Sequence, residues 1–140
     1  MKKMLLILYI LHSALTANAQ SDSTAFRAYL TNNEYDVYLR INFYDENITV
    51  PGQELYGQLP GYLGKNHNSF CWVITAAEIQ GNSAKISLIN DYGSEDLTAT
   101  LTQKSDSLYI LHQDKGSTLK VPKNGKWQKL PKTLEFKRKR

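Results

Sequence analysis

The chain has 140 residues, 41% of them hydrophobic and 21% charged, with a formal net charge of +4 and a single cysteine, Cys71. That length holds one domain, and one cysteine excludes an internal disulfide, so the core itself must supply the stability. Nine tyrosines, four phenylalanines and two tryptophans give that core its bulk, and no repeat or low-complexity tract marks a second unit.

At the N-terminus, Lys2 and Lys3 precede an apolar run from Met4 to Leu11 that is too short to span a bilayer. Ala17-Asn18-Ala19 then places small residues at alternate positions before Gln20. Residues 1–19 read as an export signal, the single β domain as 20–136, and 137–140 as a basic tail. A secreted or periplasmic destination follows, with no stable membrane insertion after signal cleavage. No cysteine stands at the junction to carry a lipid.

Ser21 to Thr24 are N-cap residues ahead of Phe26, Tyr29 and Leu30 at helical spacing, which predicts a short helix ending near Asn32-Asn33 over the open end of a sheet or barrel. Val37, Leu39, Ile41 and Phe43 alternate with polar residues in a clear strand; Ile48 and Val50 make a brief second one before Pro51-Gly52. From Gln53 to Asn68 the period is lost among glycines and Pro60. The segment reads either as a loop packed on its own Leu55, Leu59 and Leu63 or as a lid whose Tyr56 and Tyr62 meet a ligand.

Residues 70–79 are apolar on both faces, the mark of a covered central strand. Three strands follow between Ser83 and Gln113: Ala84, Ile86 and Leu88 alternate with polar residues, as do Leu97, Ala99 and Leu101, and turns rich in Asn, Asp, Gly and Ser separate the runs. Thr118 to Val121, Trp127 to Leu130 and Thr133 to Phe136 complete the set. The fold class is all-β: a small antiparallel up-and-down meander closed into a barrel or strongly curled sheet of about eight strands, with a sandwich as the alternative. Leu39, Ile41, Ile86, Leu88, Leu97 and Leu101 should share one interior.

Chemistry-bearing residues are sparse. His67 and His112 have no ligand-like spacing, so neither zinc nor any cofactor is expected. Cys71 lies inside an apolar strand, where a thiol packs rather than reacts. Asp91, Glu95 and Asp96 crowd one turn without matching a calcium loop, and no nucleophile elbow or phosphate loop is present. No enzymatic activity is expected.

The strings Asp91-Tyr92-Gly93-Ser94-Glu95-Asp96-Leu97-Thr98-Ala99-Thr100-Leu101 and Lys126-Trp127-Gln128-Lys129-Leu130-Pro131 resemble those of small exported bacterial β proteins of uncharacterised function, a resemblance that carries no activity across. The plan is also similar to lipocalin-like barrels and to periplasmic inhibitors of cell-wall hydrolases, whose signature strings are absent. The expected function is that of a non-enzymatic interaction protein, an inhibitor or immunity-type binder of another exported protein; the alternative is a lipocalin-like barrel holding a small apolar ligand against Trp72 or Tyr109. Charge adds a direction. From Gln20 onward fifteen basic residues meet thirteen acidic ones, yet residues 115–140 alone carry +9 and residues 20–114 carry −7. Candidate binding residues are therefore Tyr56 and Tyr62 in the glycine-rich segment and Lys126, Trp127 and Lys129 in the basic one. The partner is expected to be another exported protein or an anionic envelope polymer, not nucleic acid.

Overall fold

Strands with one apolar face can bury it by curling until the two edges meet, and the computed structural model shows that solution. It describes residues 24–140; the expected export signal and residues 20–23 lie outside them. The strands are β1 (Arg27–Asn32), β2 (Val37–Asn42), β3 (Ile48–Thr49), β4 (Gln58–Leu59), β5 (Gly61–Lys65), β6 (Cys71–Gln80), β7 (Ser83–Asn90), β8 (Asp96–Gln103), β9 (Leu108–Gly116), β10 (Lys120–Lys123), β11 (Lys126–Lys129) and β12 (Thr133–Arg138). Eight of them close an antiparallel barrel in the order β1-β12-β9-β8-β7-β6-β5-β2. Chain neighbours are barrel neighbours throughout, so this is an up-and-down barrel carrying two inserted hairpins, β3–β4 and β10–β11. Register shifts in β6, between Ile74 and Ala76, and at Thr98/Ala99 bend the long strands.

Leu39, Ile41, Ile86, Leu88, Leu97 and Leu101 do share one buried cluster, with Leu63, Trp72, Ile74, Tyr109, Leu111 and Phe136. Outside, Arg40, Lys85, Thr98, His112 and Glu135 are exposed. A second, smaller apolar cluster of Val50, Tyr62, Cys71 and Val73 lies apart from this core.

Three expectations change. Residues 27–32, assigned to a helix, form β1, pairing along its whole length with β2 and at Leu30 and Thr31 with β12. Two strand edges left open would each expose a row of unpaired backbone groups, a demand that a narrow helical stripe does not outweigh. The stretch 53–68 is not one loop. It holds a single 3₁₀ turn at Glu54–Tyr56, β4 and the barrel strand β5. Its glycines mark close approach: a β-carbon on Gly61 would sit 2.2 Å from the Arg40 carbonyl oxygen, and one on Gly64 2.4 Å from Tyr38 Cζ. Finally, residues 137 and 138 belong to β12, and the Lys139 N–H donates to the Tyr29 carbonyl at 2.8 Å, so the basic end is part of the barrel rather than a tail beyond it.

Candidate functional site

Both ends of the barrel are plugged. At one end Ala25 and Phe26 turn inward; Phe26 stacks on Phe43 at 5.6 Å and meets Tyr109 edge-on at 6.4 Å. The other end is covered by the β10–β11 hairpin, whose Leu119, Val121 and Leu130 join the core. Two buried side chains tie this cover down. Trp72 Nε1 donates to the Lys120 carbonyl at 2.9 Å. Gln113 accepts from the Leu119 N–H at 2.8 Å and donates to the Pro131 carbonyl at 3.0 Å. Trp72 and Tyr109, the residues expected to line any empty lumen, are fully buried in the core.

Asn90 organises the turn beside this cover. Its Oδ1 accepts the Ser94 and Glu95 N–H groups at 2.9 and 3.3 Å, and its Nδ2 donates to Ser94 Oγ at 3.1 Å. Glu95 is thereby held against Lys120, at 3.1 Å, and the Lys120 ammonium stands 5.6 Å above the Trp127 ring. Phe70 meets Trp127 edge-on at 5.0 Å and lies 6.2 Å from Tyr92. Trp127 is 50% exposed and Tyr92 73%. The result is an aromatic ridge, rimmed by lysines, standing on a locked base.

The expected site residues divide. Lys126, Trp127 and Lys129 are all on β11, Trp127 and Lys129 on one face at this ridge and Lys126 on the other face at the hairpin's tip. Tyr56 is exposed on the 3₁₀ turn beside a fully exposed Leu55. Tyr62 is no contact residue: it is buried on the outside of β5, under the β3–β4 hairpin, with Val50, Cys71 and Val73. There it meets Tyr38 edge-on at 5.7 Å, and burial, followed by the Tyr62 hydrogen bond, pushes the Tyr38 hydroxyl up to about 12. A loop reading gave both tyrosines one role; the strand separates them. Tyr92, Phe70 and Lys120 were missed as site residues because their adjacency comes from three different turns meeting at one barrel end.

Cys71 sits in that covered cluster, where burial and then the Asp91 carboxylate push its thiol up to about 11, leaving it protonated at neutral pH. Among the described residues no group of three His, Cys, Asp or Glu side chains could hold a metal ion, and no helix is long and apolar enough to cross a membrane.

Asp91 gives a pH test. Burial raises its pKa, and its Oδ1 is buried without a hydrogen-bond partner. A raised folded-state value means that the charged form penalises folding above that value and that the penalty is gone below the unfolded value near pH 4. Asp91→Asn is expected to raise the melting temperature at pH 7, with the gain vanishing by about pH 3. A gain that persisted undiminished in acid would assign the effect to something other than the carboxylate charge.

No family model matches the chain, and no curated protein or solved structure matches it significantly.

Proposed function

We propose that this chain is an exported, non-enzymatic interaction protein that binds another exported protein, as an inhibitor or immunity-type binder, through the hairpin end of its barrel. The observation that carries this reading is that Tyr92 and Trp127 stand exposed on a buried Phe70, beside a barrel core in which Trp72 and Tyr109 are fully buried. Trp and Tyr on a fixed base are the residues that dominate protein interfaces. Fixing matters because a pre-ordered contact surface loses less side-chain entropy on association. The lipocalin-like alternative needs a lumen, and none of these contacts supports one.

The test is capture from the native culture fluid or envelope extract by the immobilised chain starting at Gln20. The wild type is expected to retain a specific protein that Tyr92→Ser/Trp127→Ser loses at least about tenfold, with the fold still cooperative. Equal capture by both forms, or a small molecule found bound by native mass spectrometry, would overturn the proposal.

A further inference from the structure

We infer that the partner presents to this end an acidic stretch of polypeptide with an apolar or aromatic anchor, the anchor packing at Trp127, one carboxylate meeting Lys129 on the same face and another reaching Lys126 around the ribbon's tip; the inference rests on the interaction reading above. The hairpin register carries it. Lys120 pairs with Lys129, and Lys123 pairs with Lys126 across the Asn124-Gly125 turn. Directly opposite residues share a face of an antiparallel ribbon, so both outer pairs of this four-rung ladder set ammonium against ammonium, an arrangement that costs stability.

Counter-charge is scarce. Lys120 has Glu95 at 3.1 Å. Lys123 lines a cleft of about 360 Å³ together with Glu34 and Asp36. Lys126 and Lys129 have no ion-pair partner among the described residues. Side chains two apart share a face, so Lys129 stands with Trp127, Pro122 and Lys120, while Lys126 and Lys123 project from the opposite face at the ribbon's tip. An incoming anion gains Coulomb attraction and relieves a repulsion the free protein already bears.

The aromatics decide which anion. With Lys120 over the Trp127 ring and Phe70 against it at 5.0 Å, the ring is not an open platform on which a sugar could stack. Its exposed part suits an inserted side chain. Glu95 within the patch repels a continuously charged polyuronate, whereas a polypeptide can set a neutral or basic residue opposite it.

Trp72 is fully buried and Trp127 half exposed, so tryptophan emission reports the ridge in every form that keeps Trp127, and titration calorimetry reads binding to Trp127→Ser. The probes are a synthetic peptide alternating glutamate and phenylalanine, poly-L-glutamate, and polygalacturonate. The alternating peptide is expected to bind most tightly, with affinity falling as salt rises. Lys126→Gln/Lys129→Gln should weaken it about tenfold while raising the low-salt melting temperature, and Trp127→Ser should weaken the peptide but not poly-L-glutamate. Tighter binding of polygalacturonate, salt-independent or absent peptide binding, or an unchanged lysine variant would overturn the inference. So would concentration-dependent sedimentation, which would name a second copy as the occupant. If native partner capture survives the lysine changes yet fails with Tyr92→Ser/Trp127→Ser, the acidic segment is wrong and the interaction reading stands; if capture survives both, the interaction reading itself fails.

Discussion

Trp72→Ala is expected to cost about 3–5 kcal/mol in chemical denaturation, the largest single-residue effect in this chain. Two losses add. The indole is fully buried in the barrel core, edge-on to Phe70 at 6.3 Å, and removing it leaves a cavity that a closed barrel cannot collapse without breaking its ladders. Its N–H also holds the Lys120 carbonyl at 2.9 Å, so the variant frees the base of the β10–β11 hairpin as well. Trp72→Phe separates the two: most of the ring volume stays, the hydrogen bond goes, and a loss of about 1–2 kcal/mol is expected. In that variant the Leu119 and Leu130 amides, which close the hairpin base, should exchange faster than those of β7 and β8. A Trp72→Ala protein as stable as the wild type would show that the side chain does not fill the core.

Ending the chain at Phe136 is expected to cost on the order of 3 kcal/mol, from several hydrogen bonds worth about 1 kcal/mol each. The seam between β1 and β12 is short, with Leu30 opposite Arg138 and Thr31 opposite Lys137, and this truncation deletes both β12 partners. It also removes the Arg138 N–H bond to the Ser107 carbonyl and the Lys139 N–H bond to the Tyr29 carbonyl, each 2.8 Å. The Arg138 guanidinium further binds the Asp106 carbonyl at 3.0 Å, the Arg27 and Thr24 carbonyls at 3.4 Å, and the Tyr109 hydroxyl, which itself donates to the Ala25 carbonyl. One side chain thus joins the plugged end, the core tyrosine and the β8–β9 turn. Arg138→Ala alone should take about half of the loss, and removing only Arg140 almost none of it. An unshifted melting temperature on ending at Phe136 would mean that the barrel closes without this seam. The sequence reads 137–140 as a basic tail beyond the domain; the contacts of Arg138 and Lys139 make the start of that segment part of the barrel.

Where the polarity alternates with a period of two, as from Ala84 to Leu88 and from Leu97 to Leu101, the sequence by itself determined strands, their inward faces and the turns between them, because a half-buried strand must alternate. From that came the all-β class, the up-and-down order and the six core positions. Two things were decided by closure. Arg27–Asn32 became a strand because β2 and β12 each needed a hydrogen-bonding neighbour, a requirement set by residues distant in the chain. Gly61 and Gly64 read as loop breakers, yet they are the places where β5 passes closest to Arg40 and Tyr38. The candidate site followed the same division. Lys126, Trp127 and Lys129 stood out as charge and aromaticity on one short segment, but that Lys126 faces Lys123, that Lys129 faces Lys120, and that Phe70 and Tyr92 complete the ridge are matters of register and of which turns meet at one barrel end. Composition records how many lysines a strand carries; only pairing determines whether they face carboxylates or one another.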